Sequence, residues 1–245
     1  MTLDMPDFSP LEERLGHTFR DRSILLQALT HRSYLNEHAD FPLSHNERLE
    51  FLGDAVLEII VTEHLYKTFA NPEGDLTNWR AALVNAKTLA NISKDLSFEE
   101  YLLLSKGEAR DKDTKARMYI LANAIEAIIG ALYLDGGTQA AEKFIHRHIL
   151  SHLPKILELE LYVDAKSKFQ ETAQELLGIT PNYKVLEEKG PDHQKEFTVG
   201  IFLDRDLVAV GQGSSKQEAQ LAAAEAGLDA KSWRTKISPS SPESS

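Results

Sequence analysis

The chain has 245 residues, with 27 Lys and Arg, 38 Asp and Glu, no Cys and a formal net charge of −11. This length suits one domain or two small ones, and the 42% of hydrophobic residues is enough for packed cores. The absence of Cys excludes disulfides, zinc–thiolate sites and thiol nucleophiles, and it fits a reducing cytoplasm. The first residues resemble no signal peptide, and no long uncharged apolar run predicts a membrane span. The acidic balance disfavours binding of polyanions through bulk charge, although a local basic face or a cation held by carboxylates could still bind them.

Residues 1–158 show apolar residues at helical spacing almost throughout, which predicts an all-α domain. The pattern indicates two short helices within 11–29, followed by longer helices at 46–69, 77–96, 116–134 and 138–158. We expect Gly74, Gly107 and the pair at 136–137 to lie in loops. Gly53 and Gly130 instead lie inside apolar runs, where a glycine suggests close helix packing.

The pattern changes after a linker predicted at 159–163. Residues 164–231 indicate a small α+β domain with the order α-β-β-β-α: a helix at 166–177, strands at 182–188, 195–203 and 207–212, and an Ala-rich helix at 215–229. The Ser- and Pro-rich residues 232–245 predict a disordered tail.

Acidic residues interrupt two strongly apolar helices. In NERLEFLGDAVLEIIV (46–61), apolar residues extend nearly around the helix, yet Glu47, Glu50 and Asp54 share one narrow face. In LANAIEAIIGALYL (121–134), the strongly polar residues are Asn123 and Glu126, again three positions apart.

Two interpretations of these acids stay open from spacing alone. Unpaired buried carboxylates are too costly to retain, so the acids either face water on an ordinary amphipathic helix or bind a cation. Carboxylates converging from two helices suit a hard divalent ion such as Mg²⁺, which commonly serves phosphate chemistry. Glu58 lies near the same face and is not excluded by geometry.

The same segments resemble bacterial ribonuclease III. ERLEFLGDAVL (47–57) is similar to the signature of that family. The similarity continues in LEERLGHTFRDRSILLQALTHRSY (11–34), PEGDLTNWRAALVNAKTLA (72–90) and ILANAIEAIIGALYLDGG (120–137), in the same order. It spans most of residues 10–230. The resemblance implies an Mg²⁺-dependent endoribonuclease, with Mn²⁺ as a substitute, that cuts both strands of double-stranded RNA as a homodimer.

Site residues follow from the resemblance position by position. It implies that Glu50, Asp54 and Glu126 are metal ligands, with Asp54 and Glu126 also catalytic. It implies that Glu47 and Glu73 are further acids of the catalytic valley. Phe51 matches an aromatic residue that inserts into the partner subunit, although without the resemblance a core Phe would be the ordinary interpretation.

One position departs from the family pattern. The second helix of the family usually reads Asp-x-x-Glu, whereas this chain has Asn123 and Glu126. The Asn carbonyl oxygen can still ligate Mg²⁺, but one negative charge is lost. An alternative function is therefore a double-stranded RNA-binding protein with weakened or lost cleavage.

Residues 164–230 resemble a double-stranded RNA-binding domain, a class that recognises duplex shape through phosphates and 2′-hydroxyls. The resemblance implies that Gln170 and Glu171 face one minor groove, His193 the next, and Lys216 with nearby backbone N–H groups the phosphates between them. Lys216 is followed by Gln217 where many relatives have further Lys, so modest affinity is expected.

The mixed-charge segment EARDKDTKAR (108–117) could contact the RNA backbone or could be a solvated loop. No glycine-rich phosphate loop or Gly-x-Ser-x-Gly elbow is present, so no nucleotide cofactor is expected. A hydrolase of small phosphorylated molecules is a third possibility, but it would not explain the second domain. The resemblance implies that the products carry 5′-phosphates and short 3′ overhangs, and that the substrates are rRNA, mRNA and tRNA precursors in the cytoplasm.

Overall fold

A computed structural model describes residues 6–112, 114–158, 165–191 and 195–233 of the protein. The chain divides into two compact units, Met1–Tyr162 and Val163–Ser245. The predicted linker at 159–163, most of the predicted tail and His193 lie outside the described residues.

The first unit is helical, which confirms the predicted fold class. Its α-helices are α1 (Ser9–Leu15), α2 (Arg22–Ala28), α3 (Arg32–Glu37), α4 (Glu47–Thr68), α5 (Glu73–Val84), α6 (Ala86–Asp95), α7 (Lys106–Arg110), α8 (Lys115–His148) and α9 (Leu153–Glu158). Short 3₁₀ turns lie at Phe98–Glu100 and Leu150–His152. The long α8 forms the centre of the core and packs mainly against α4 and α6.

Helix boundaries differ from the prediction at three places. The predicted helix 77–96 is two helices, because Asn85 is extended and caps both: its Nδ2 donates to the carbonyl of Ala82 and its Oδ1 accepts from Thr88 N. The predicted helix 116–134 and the first part of the predicted helix 138–158 meet in α8 across a non-helical Gly137, whose φ of +71° favours glycine. The rest of the predicted helix 138–158 is divided into the 3₁₀ turn Leu150–His152 and α9. Gly74 and Gly107, predicted in loops, lie in the first turns of α5 and α7.

The segment Lys115–Glu158 is long and apolar enough to cross a membrane by length and composition, but 61% of its most apolar window is buried inside the protein. It packs as the core helix of the first unit, which makes it weak evidence for a membrane span.

The second unit has the predicted α-β-β-β-α order. It consists of α10 (Ala165–Leu177), β1 (Asn182–Lys189), β2 (Glu196–Leu203), β3 (Asp206–Gly213) and α11 (Lys216–Ala230). The antiparallel sheet has the order β1-β2-β3. In β2, Val199, Ile201 and Leu203 are buried, and α11 packs on the sheet with Ala219 and Ala223 buried.

Candidate active site

Two glycines bring the backbones of α4 and α8 into direct contact. A Cβ atom at Gly53 would overlap the carbonyl oxygen of Glu126, and one at Gly130 would overlap the carbonyl oxygen of Leu49. This confirms the close packing predicted for both glycines. Because Glu50 and Asp54 flank Gly53 on α4, the crossing places them beside the Asn123–Glu126 turn of α8.

The electrostatics show that these side chains form one cluster. Burial, followed by repulsion from Asp54 and Glu50, raises the pKa of Glu126 to about 7. Burial, with repulsion from Glu47 and Asp54, also raises the pKa of Glu50, and the side-chain amide of Asn123 offsets part of that rise by hydrogen bonding. Every charged group that shifts these two pKa values is another carboxylate. Among the residues that the structure describes, none supplies a compensating positive charge to Glu50 or Glu126.

The donor chemistry fits a hard divalent cation. The cluster offers carboxylate oxygens from Glu50, Asp54 and Glu126 and an amide oxygen from Asn123, which are the ligands that Mg²⁺ prefers. Within the described residues, no three Asp, Glu or His side chains lie close enough together to hold an ion by themselves. Ion binding would therefore draw side chains inward or use bridging waters, which Mg²⁺ commonly retains.

Three other acids of the prediction lie differently. Glu47 is half exposed and lies 3.5 Å from Arg32 Nη1, at the edge of the cluster. Glu58 is paired with Arg80 through a 3.0 Å contact, which directs it away from the cluster. Glu73 is the first residue of α5, which begins after α4 has ended at Thr68, and it lines an open cavity with Tyr66. It is not among the charges that shift Glu50 or Glu126.

The sequence analysis did not identify two buried acids that have structural roles. Asp135 accepts hydrogen bonds from the backbone N–H groups of Arg20 and Asp21 and lies 2.8 Å from His17 Nε2. Glu12 pairs with Arg22 at 2.6 Å. Burial by itself therefore does not distinguish the candidate site, whereas mutual repulsion among carboxylates does.

Phe51 is not a core residue. Its side chain is 80% exposed, and Ile59 and Tyr66 farther along α4 are 64% and 77% exposed. The apolar residues that extend nearly around this helix in the sequence predict a largely buried helix, and that prediction is wrong on this face. Phe51 also lines an open groove of about 620 Å³ with Leu52 and Leu134.

In the second unit, glycines again set the geometry. A Cβ atom at Gly211 or Gly213 of β3 would collide with the backbone of α11, so the helix lies directly on the strand. Ser215 caps α11 by accepting from Glu218 N at 3.2 Å, and Glu218 accepts from Ser214 N in return. Part of the hydrogen-bonding capacity predicted for phosphates is thus satisfied within this turn.

The predicted RNA contacts lie on the surface of this unit. Gln170 and Glu171 are exposed on α10, and Lys216 is exposed at the start of α11. The ammonium group of Lys216 lies 5.6 Å from the ring centre of Phe197, which holds the charge near the sheet end of the helix. The fourth predicted contact, His193, lies outside the described residues.

The helical unit with its carboxylate cluster and the α-β-β-β-α unit together define an endoribonuclease with an RNA-binding domain. The ribonuclease-III-like family pattern matches residues 21–153, and the double-stranded RNA binding motif matches residues 165–230. The chain belongs to the ribonuclease III family.

Relatives of known name cover nearly the whole chain. Ribonuclease 3 of Carboxydothermus hydrogenoformans is 44% identical over 93% of this chain and 97% of its own length. Ribonuclease 3 of Oceanobacillus iheyensis is 42% identical over 91% of this chain and 97% of its own length. A solved nuclease domain of ribonuclease III from Campylobacter jejuni, described as flexible in the region involved in dimer formation, is 40% identical. It covers 60% of this chain and 99% of its own, with a TM-score of 0.54.

Proposed function

We propose that the protein is an Mg²⁺-dependent endoribonuclease that hydrolyses phosphodiester bonds of double-stranded RNA and leaves 5′-phosphates. The observation that carries this proposal is the cluster of Glu50, Asp54 and Glu126, in which burial and repulsion from neighbouring carboxylates raise the pKa values of Glu50 and Glu126. Such a cluster is poorly stable without a cation and is well suited to one. The family of the chain and its RNA-binding motif supply the substrate class.

Each side chain of the cluster would have its own role. Glu50, Asp54, Asn123 and Glu126 would hold Mg²⁺, or Mn²⁺ as a substitute. When bound, the ion would lower the pKa of a water and neutralise the leaving oxygen of the RNA strand. Glu126 is the most buried acid of the three, so it anchors the site from the protein side. Asp54 is exposed, so it would stay accessible to a bound RNA strand.

We propose that the protein acts as a homodimer. Phe51 and Ile59 present an apolar face on α4 that a monomer would leave in water, and Leu134 adds to it from α8. A two-fold dimer uses the same patch on both subunits, so Phe51 of each can enter the groove beside Leu134 of the other. Glu73, which lies apart from the cluster of its own chain, would then be available to the valley of the dimer.

We propose that the second unit binds the duplex through Gln170 and Glu171 on α10, His193, and Lys216 at the start of α11. Recognition would depend on duplex shape, phosphates and 2′-hydroxyls, because the deep, narrow major groove of an RNA duplex hides the base edges. The substrates would be structured rRNA, mRNA and tRNA precursors in the cytoplasm, cut on both strands to leave short 3′ overhangs.

A protein that binds duplex RNA without cutting it remains the alternative, and it rests on Asn123 alone. The retained acids Glu50, Asp54 and Glu126 do not favour it. A hydrolase of small phosphorylated molecules gains no support, because the RNA binding motif accounts for the second unit.

The decisive experiment compares Glu126→Gln with Glu58→Gln on a long RNA duplex, with and without Mg²⁺. We expect Glu126→Gln to abolish cleavage and to retain duplex binding, because it removes charge from the cluster and preserves shape. Glu58→Gln is the matched control, since its acid pairs with Arg80 outside the cluster. Cleavage by Glu126→Gln at the wild-type rate would place the active site elsewhere. No cleavage by the wild-type protein, together with tight duplex binding, would favour the alternative.

A further inference from the structure

Two histidine rings meet where the last turns of α4 and α8 lie together. The ring centres of His64 on α4 and His146 on α8 are 5.1 Å apart, and the ring planes are 85° to each other. His146 follows the non-helical Gly137, so this contact joins α4 to the last part of α8. His64 lies ten residues beyond Asp54 on α4, or about 15 Å along the helix axis, so the pair is separate from the carboxylate cluster.

The nitrogens of both rings are available to a ligand. Among the residues that the structure describes, neither ring forms an ion pair or a hydrogen bond. His17 and His45 differ in this respect, since they lie 2.8 Å and 3.7 Å from a carboxylate oxygen. Burial, followed by repulsion from His146, lowers the pKa of His64 below its ordinary value. A neutral imidazole is the form that ligates a metal ion, so His64 needs to release no proton near neutral pH.

The spacing of the two rings matches that of two ligands on one tetrahedral ion. A zinc–nitrogen distance of about 2.0–2.1 Å and a tetrahedral angle place the centres of two bound imidazole rings about 5.2 Å apart. Each ring can turn about its zinc–nitrogen bond, so the angle between the ring planes is not restricted. His64 is half-buried and fixes one ring, whereas His146 is exposed and can rotate to aim a nitrogen at the same point.

We infer that His64 and His146 form a binding site for Zn²⁺, distinct from the Mg²⁺ site proposed above. Imidazole suits Zn²⁺, whereas Mg²⁺ prefers oxygen ligands. Within the described residues, no three His, Asp or Glu side chains already surround one point, so water would fill the remaining positions. Glu142 lies one turn before His146 on the same face of α8 and is the nearest acid in that helix for a third ligand. The bound ion would hold the last part of α8 against α4 and stabilise the folded first unit.

The test titrates Zn²⁺ into the full-length protein by isothermal titration calorimetry, with Mg²⁺ in excess to occupy sites made of oxygen ligands. The chain has no Cys, so no thiolate competes for the ion. The variants are His64→Gln and His146→Gln, and His38→Gln is the matched control because it removes an exposed imidazole from the same unit. We expect each of the first two variants to lower the affinity of one Zn²⁺ site by more than about tenfold, since losing even a partner that only orients a ligand costs about 10–100-fold. The control should retain the wild-type affinity.

Wild-type affinity in both variants, or a loss confined to one of them, overturns the inference. Thermal unfolding in the presence of a chelator first shows that the variants are folded. If either variant does not fold, crystals of the wild type grown with Zn²⁺ decide, because they need no substitution. An anomalous difference peak about 2.0–2.1 Å from a nitrogen of each ring supports the site, whereas a peak on one ring only, or no peak at the pair, overturns it. Neither measurement uses RNA cleavage, so a failure of the proposed function would leave this test intact.

Discussion

Replacing Gly53 by Ala tests whether the contact between α4 and α8 builds the active site. The added methyl group would overlap the carbonyl oxygen of Glu126, and Gly130 N also lies 2.8 Å from the Cβ position. These neighbours are backbone atoms, so they cannot rotate away as a flexible side chain could. The helices must separate, which moves the acids of α4 away from those of α8.

The magnitude follows from two opposing effects. Ala is favoured over Gly inside a helix by about 0.5–1 kcal/mol. Forcing a methyl group into a well-packed contact costs about 1–3 kcal/mol, and more where the backbone must move. The difference is a loss of up to about 2.5 kcal/mol, and because the backbone must move at Gly53 we expect Gly53→Ala to lower the free energy of unfolding of the first unit by about 2–3 kcal/mol. We also expect a larger fractional loss of cleavage than this stability change explains.

Gly74→Ala is the matched control for the glycine change. Gly74 lies in the first turn of α5 with nothing within 4 Å of its Cβ position, so the same substitution should be neutral or stabilising. Gly130→Ala should destabilise like Gly53→Ala. Combining the two should cost less than the sum, because one separation of the helices relieves both overlaps.

Stability is measured by urea denaturation without metal, and the fluorescence of Trp79 reports the unfolding of the first unit. A Trp233→Phe background removes the second signal, since the chain has two Trp and each unit contains one. Cleavage is measured on the same proteins at a temperature where all of them are folded. If Gly53→Ala is as stable and active as Gly74→Ala, the helices do not touch at this point and the derivation of the site from their crossing is wrong.

Three further predictions concern the site and the dimer. Because burial and repulsion raise the pKa of Glu126 to about 7 in the folded protein, its contribution to stability is fully present below about pH 4.5 and is lost as the pH rises through about 7. In metal-free urea titrations, Glu126→Gln should therefore gain on the order of 2–3 kcal/mol over the wild type between pH 5 and pH 8; a constant difference would contradict the raised pKa. Asn123→Asp adds a negative charge beside Glu50, so it should destabilise the metal-free protein and lower the Mg²⁺ concentration needed for half-maximal cleavage. An unchanged midpoint in the Mg²⁺ titration would mean that residue 123 is not a ligand. Phe51→Ala should weaken self-association by about 2–4 kcal/mol in sedimentation equilibrium if the ring enters a partner groove. Leu207→Ala, which truncates an exposed apolar side chain in the second unit, should leave self-association unchanged.

Periodicity predicted the helical domain and the α-β-β-β-α domain because both depend on which residues face a core. It failed where a single residue sets the boundary of a helix. The apolar spacing continues across Asn85, so the spacing predicted one helix, and only the two-way capping by that amide divides it. Gly74 and Gly107 are of a residue type typical of loops, but each lies in the first turn of a helix. The backbone N–H groups of that turn lack partners within the helix whichever residue is present.

The candidate site was predictable in its members but not in its electrostatics. Spacing alone left Glu50, Asp54 and Glu126 as either solvated acids or ligands, and the exposed or buried state of Phe51 could not be distinguished either. What spacing cannot supply is the distance between helices, and here two glycines set that distance. The same backbone contact that forbids a Cβ at Gly53 places carboxylates from α4 and α8 where they repel each other. That repulsion destabilises the metal-free protein and favours a cation, so the close packing of the core and the chemistry of the site have one cause. A substitution that relaxes the helix crossing should therefore stabilise the metal-free cluster locally while weakening cation binding, and Mg²⁺-dependent stabilisation of Gly53→Ala against the wild type is the measurement that separates these two effects.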